Sequence, residues 1–142
     1  YLPSVFNESA LIDRFHGFIE GWDLPRLLEE QKASSWNLNT EYFTSIMHLM
    51  RSDGSYRRIV DDLIEVGKDA DIRHLEAVKR LTTGFLKLLF PHVQSVDDVD
   101  RDEFKKYCLD PAIHMRTIIW KQLCFMDREY RKTSMPELHV KE

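Results

Sequence analysis

Glycine is scarce in this chain, with five in 142 residues, about half the usual frequency of roughly 7%. That scarcity counts against tight hairpins, glycine-rich phosphate loops, and barrel or sandwich folds. Cysteine is scarcer still. Cys108 and Cys124 have no ligand spacing with one another, so they read as packing thiols of a reducing compartment rather than a disulfide or a zinc site. No apolar run approaches the roughly 18 residues needed to cross a bilayer. The opening YLPSVFNESA lacks the basic region and apolar stretch of a secretory signal. The expectation is a cytoplasmic protein with no membrane contact. An excess of positive charge is also missing: 20 Lys and Arg stand against 24 Asp and Glu, the reverse of a dedicated phosphate-backbone binder. What is present is 43% hydrophobic and 31% charged residues at a mean hydropathy of -0.41, a globular composition. The length suits one domain, or a domain with an appendage, and leaves no room for a complete multidomain enzyme.

The apolar spacing predicts a mainly α-helical bundle. Tyr42, Phe43, Ile46, Met47, Leu49 and Met50 fall at helical intervals behind an Asn37/Asn39 capping region. Asp53-Gly54-Ser55 is a turn signal, with Ser55 expected to cap a helix running through Ile59, Val60, Leu63, Ile64 and Val66 to Gly67. Asp71 is expected to cap a longer helix whose apolar face is Leu75, Val78, Leu81, Phe85, Leu88 and Leu89, stopped by Pro91. A short helix starts near Asp102. Asp110-Pro111, with proline at the first helical position, opens another through Ile118, Leu123 and Tyr130. The first 36 residues are less regular: Asn7 caps a short helix, and residues 16–22, with Gly17 and Gly21 around an apolar pair, read more like a short strand. Leu138 and Val140 alternate like a strand start, but the end of the chain is expected to fray.

Several chemistries fail on their motifs. A phosphate loop requires G-x-x-x-x-G-K-[ST], which Gly17 and Gly21 do not supply. Ile59-Val60-Asp61-Asp62 resembles a metal-binding strand end only superficially, because its apolar spacing is helical. Asp98, Asp100 and Asp102 alternate as in a calcium loop, yet the turn glycine is replaced by Glu103 and the closing glutamate is missing. The six histidines form no H-x-x-x-H pair, so no metal site is expected. Two arginine-centred stretches remain: Leu11-Ile12-Asp13-Arg14-Phe15, a helix end, and Asp71-Ile72-Arg73-His74-Leu75, the first turn of the long helix. A guanidinium matches a phosphate bidentately, and one held at the end of a rigid element can stabilise charge on a transferring phosphoryl group.

In this order, the two stretches resemble the C-terminal part of an AAA+ ATPase. LIDRF is similar to the end of the AAA+ core in Lon-type proteases, and DIRHLEAVKRL to the sensor-2 helix of the small helical lid. ESALIDRFHGFIEGWDLPR, NTEYFTSIMHLMR, SYRRIVDDLIEV, EAVKRLTTGFLKLLFPHV and PAIHMRTIIWKQLCFMDREYR extend the likeness over nearly the whole chain. They resemble the Lon-protease-like component of BREX phage-defence systems. The resemblance implies that Arg14 is an arginine finger reaching a neighbouring subunit's nucleotide in a homo-oligomeric ring. It likewise implies that Arg73 is a sensor-2 arginine on its own subunit's nucleotide. ATP and magnesium would belong to the parent protein, with neither bound tightly by this segment alone, since Walker A, Walker B and the Lon Ser/Lys dyad are all missing from it.

On this reading residues 1–36 end an AAA+ core, 37–92 form the lid with its sensor-2 helix, 93–134 complete the lid and linker, and 135–142 lead to a Lon-like domain. The chain, starting at Tyr1, would be a fragment of an ATP-dependent Lon-like protease. The alternative is a non-enzymatic helical module that binds a protein partner or DNA through Arg128, Arg131 and Lys132. Self-association through residues 1–36 is a further expectation.

Overall fold

The computed structural model describes residues 3–68 and 70–141. In chain order the helices are α1 (Ser9–Ile12), α2 (Thr40–Arg51), α3 (Ser55–Leu63), α4 (Ile72–Leu89), α5 (Arg101–Phe104) and α6 (Asp110–Met126). The strands are β1 (Ile64–Val66) and β2 (Leu138–Val140). The mainly helical expectation holds. The chain divides into two compact units, one comprising the residues up to Phe18 together with those from Gly54 onward, the other Ile19–Asp53.

In the first unit α4 is the central rod, with α3 on one side and α6 on another. Asp71 caps α4 by accepting from the backbone N–H groups of Arg73 and His74 at 2.8 and 3.2 Å. Its buried stripe is His74, Ala77, Val78, Thr82 and Leu86. That stripe is turned from the predicted apolar face, for Leu88 and Leu89 lie about half exposed. Two polar residues enter the core because each has a partner: Thr82 donates back to the Val78 carbonyl at 2.9 Å, and His74 accepts from Arg116.

The helix expected to run from Ser55 to Val66 stops at Leu63. Ile64–Val66 leaves it as β1 and pairs antiparallel with β2, with Ile64 opposite Val140 and Val66 opposite Leu138. The C-terminal segment therefore does not fray. Leu138 and Ile64 are buried, and backbone bonds from Gly67 to Glu137 and from Lys141 to Leu63 lock both ends of the ladder. Burial against the bundle supplies what a two-stranded ribbon lacks in isolation.

The two helices predicted around Asp110-Pro111 are joined as one continuous element. Between α5 and α6 lies a π turn, Lys105–Leu109, in which the Asp110 N–H donates to the Lys105 carbonyl. Pro111 has no N–H and its ring would crowd the carbonyl four residues back; the wider turn before it relieves that conflict without ending the helix. Asp100 caps this element through the Glu103 N–H at 2.9 Å.

Residues 16–22 are not a strand. Residues 16–20 run as irregular chain, and a single 3-10 turn follows at Gly21–Asp23. Phe18 donates its N–H to the Met115 carbonyl on α6 at 3.3 Å. Helix α1 is also shorter than expected, with Glu8 rather than Asn7 at its N-cap position. In the second unit Asn39 caps α2 by accepting from the Tyr42 N–H at 3.0 Å, as its sequence position implies.

Gly17 explains why the chain can lie so close to α6. A Cβ there would sit 2.7 Å from Met115 Cβ and 2.9 Å from a Leu81 methyl. Met115 Cβ is fixed to the helix backbone, so relief requires moving the segment itself. Gly17→Ala should lower unfolding stability by about 1–3 kcal/mol, read as a lower urea midpoint; an unchanged midpoint would show that the segment does not pack there in solution.

Candidate functional site

Arg116 lies on α6 with its side chain wholly buried. A buried guanidinium has to be paired and hydrogen-bonded. Here Nη2 meets Asp13 Oδ1 at 2.6 Å, Nη1 donates to the Asp13 carbonyl at 3.0 Å and to the Phe15 carbonyl, and Nε donates to His74 Nδ1 at 2.9 Å. One side chain thus ties α6 to the end of α1 and to the first turn of α4. Among the described residues no buried side-chain nitrogen or oxygen is left without a partner.

Asp13 is the counterpart. Its carboxylate is 2% exposed, and its second oxygen accepts from Arg73 Nη1 at 2.6 Å and from the Tyr130 hydroxyl at 3.3 Å. Burial pushes its pKa up, but the hydrogen bonds and charges of Arg73 and Arg116 outweigh that and hold it below the usual carboxylate value. Tyr130 is shifted upward by burial and by the Asp13 charge, so the phenol stays a donor. His74 is shifted downward, first by burial and then by the Arg116 charge. Because arginine can only donate, His74 Nδ1 is the unprotonated nitrogen, and the neutral ring carries its proton on Nε2.

Arg73 is 71% exposed despite its bond to Asp13. An arginine has five N–H donors, so one bond to Asp13 leaves the others available. Arg14, the residue after Asp13, is exposed, and among the described residues its side chain makes no hydrogen bond or ion pair, its backbone N–H donating to the Leu11 carbonyl at 3.1 Å. Arg14 and Arg73, predicted separately from the sequence, line one open concavity together with His16, Glu76 and Arg80. Nucleic-acid-type basic residues elsewhere are differently placed. Arg128, Arg131 and Lys132 sit on a 3-10 turn, and Arg131 Nε donates to the Cys124 carbonyl at 2.8 Å.

Residues 1–136 match the family described as Lon-like protease BrxL-like, ATPase domain. The chain belongs to that family. It is similar to a curated protein named Lon-like protease BrxL from Escherichia coli O9:H4 (strain HS), with 31% identity over 121 residues, 85% of this chain and 17% of that protein. A second of the same name from Bacillus cereus (strain H3081.97) shares 28% over 102 residues, 72% of this chain and 15% of that protein. The chain therefore spans a minor part of the length of the BrxL-like relatives it matches. As a member of this family it is part of a Lon-like ATPase component of BREX systems.

The other candidate chemistries have structural occupations. Asp61 is ion-paired with Arg57 and Lys79 at 3.0 and 2.6 Å. Asp98 accepts from the backbone N–H groups of Gln94 and Ser95 and from the Ser95 hydroxyl. Cys108 is buried, and burial raises its pKa to about 12, the behaviour of a packing thiol. Among the described residues no three of His, Cys, Asp and Glu gather as a metal set, and no helix is long and apolar enough to cross a membrane.

Sequence reasoning missed Asp13, His74, Arg116, Tyr130 and Arg80. For Arg116 a signal existed: Ala112, Arg116, Ile119 and Leu123 follow the core interval of one helix face, so a charged residue stood at a position meant for an apolar one. His74 stands likewise four before Val78. Asp13 offered no such cue, as its burial depends on residues about 100 positions away.

Arg116→Leu should cost about 3–5 kcal/mol of stability, because it leaves a buried carboxylate without its buried partner; calorimetry or urea unfolding measures this, and a loss under 1 kcal/mol would refute the arrangement. The folded His74 pKa lies below 6.5, so its contribution is fully present above pH 6.5 and is lost as pH falls from there toward the lowered folded value. Asp13 adds the same sign of loss below its ordinary 3.8. The unfolding midpoint should therefore fall between pH 7.5 and 5.5, with a flatter slope in His74→Gln; equal slopes would exclude the buried neutral ring.

Proposed function

We propose that this region is the nucleotide-responsive helical lid of a ring-forming, Lon-like AAA+ ATPase whose full-length form couples ATP hydrolysis to movement of a protein or nucleic-acid substrate in phage defence. Arg14 stabilises charge on the transferring phosphoryl group, and Arg73 links nucleotide state to lid position. The reading is carried by one observation: Arg14 and Arg73 line the same concavity, with Arg73 held by the buried Asp13 next to Arg14 in the chain. Guanidiniums suit phosphate oxygens and not a magnesium ion, so this concavity offers phosphate contacts rather than metal ligands.

The family resemblance divides the two arginines between two nucleotides. A shared concavity favours both acting on one, delivered across the ring interface. In that arrangement Asp13 fixes the lid end of the site and Arg14 reaches beyond it. Residues buried around Asp13 keep water from competing for its carboxylate.

In the full-length protein Arg14→Ala should lower ATPase turnover by about 10³-fold, the scale of an arginine finger; a rate within a few-fold of wild type would end this assignment. Combining Arg14→Ala with Arg73→Ala should cost less than the two single losses together, because groups acting on one phosphoryl centre are not additive. Strict additivity in a double-mutant cycle would separate them onto different nucleotides.

A further inference from the structure

We propose that Arg80, held by His16, is a third phosphate-binding group in the concavity of Arg14 and Arg73, so that the site grips the polyphosphate chain of a nucleotide rather than a single phosphoryl group. This rests on the nucleotide reading above and extends it. Residues 73, 76 and 80 stand at i, i+3 and i+7 on α4, which brings them onto one helix face. Seven residues of helix rise separate Arg73 from Arg80 by roughly 10 Å, the scale of an extended anion.

The charges around this face leave Arg80 without an ion pair, although, after Arg57, it lies close enough to Glu76 to help lower that carboxyl's pKa. Glu76, between the two arginines on the helix, has both oxygens engaged by Arg57 of α3, at 2.8 and 3.2 Å. Asp61 is likewise shared by Arg57 and Lys79. Asp13 is shared by Arg116 and Arg73, and Asp71 is occupied by the backbone N–H groups it caps. Four guanidiniums, those of Arg14, Arg73, Arg80 and Arg116, thus stand against the two carboxylates of Asp13 and Asp71. Among the described residues no carboxylate lies within ion-pairing distance of Arg80, which is exposed.

Its partner is instead an imidazole. Arg80 Nη1 lies 3.3 Å from His16 Nε2, and since the guanidinium can only donate, Nε2 accepts. Burial, followed by the charges of Arg80 and Arg116, shifts His16 downward, keeping it a neutral acceptor near pH 7. A neutral imidazole orients a guanidinium without cancelling its charge, whereas a carboxylate would compete with the incoming phosphate. The ligand class follows: a multiply charged anion whose oxygens can take N–H donors from both walls of the concavity.

The test uses the full-length protein and ATP. Arg80→Ala should raise the KM for ATP about ten-fold, the loss of a charge-assisted hydrogen bond, while changing kcat far less than Arg14→Ala. Arg80→Lys, which keeps the charge, should recover most of that loss, and the unfolding midpoint of both variants should match wild type. If Arg14→Ala and Arg73→Ala impair turnover while Arg80→Ala leaves KM within two-fold, the Arg80 assignment is overturned and the nucleotide reading stands. If all three leave ATP turnover within two-fold, the nucleotide reading falls and this one with it. A loss of duplex DNA binding in Arg80→Ala with unchanged KM would assign the arginine to a phosphodiester backbone instead, and would equally overturn it.

Discussion

The Asp13 carboxylate is buried and stays ionised because a wholly buried guanidinium meets it from inside while an exposed one meets it from solvent. Desolvating a carboxylate and a guanidinium costs several kcal/mol per ion unless geometry and further hydrogen bonds offset it. Here both backbone and side-chain acceptors surround Arg116, and His74 takes its Nε donor. The ends of α1 and α4 and the middle of α6 converge on this pair. The short α1 has no buried residue of its own, so the Asp13–Arg116 pair is the buried link between its end and the bundle.

That constraint also positions the chemistry. Arg14 follows Asp13 directly, so its backbone is fixed by the same pair that leaves its side chain free in solvent. Arg73 is fixed from two directions: its N–H by the Asp71 cap and its guanidinium by Asp13. On the proposed nucleotide reading such pre-organisation favours binding, because less rotamer entropy is lost when a phosphate arrives. The buried pair remains neutral in sum whether or not a phosphate binds to Arg73, so the ligand can be exchanged without exposing an unpaired buried charge.

The helical class, the Asp71 cap, the Asn39 cap and the breaks near Gly54 and Pro91 were legible because each depends on residues adjacent in sequence. Arg14 and Arg73 stand out in the sequence through their resemblance to known motifs, but their common concavity does not, since 59 positions separate them. The core face of α4 departs from the apolar spacing for a definable reason: two members of the buried stripe, His74 and Thr82, are polar and internally satisfied. Fraying is the expectation for Leu138–Val140 from its place near the end of the sequence, and its partner Ile64–Val66 reads from the sequence as the last turn of a helix. Three apolar-polar-apolar residues fit either period, and only the antiparallel pairing decides.

The π turn before Pro111 is the least conspicuous part of this machinery and the one that sets its register. The buried residues Phe104, Cys108, Ala112 and Arg116 recur every four positions. In a straight α-helix, at roughly 100° per residue, three such steps would turn the last of them about 120° away from the first. One additional residue in the Lys105–Leu109 turn returns nearly all of that rotation, so Phe104 and Arg116 face the same core. A proline that forbids the regular hydrogen bond thereby fixes where the extra residue is accommodated. The register of α6 follows from that local chemistry, and with it the placement of Arg116 against Asp13 and His74.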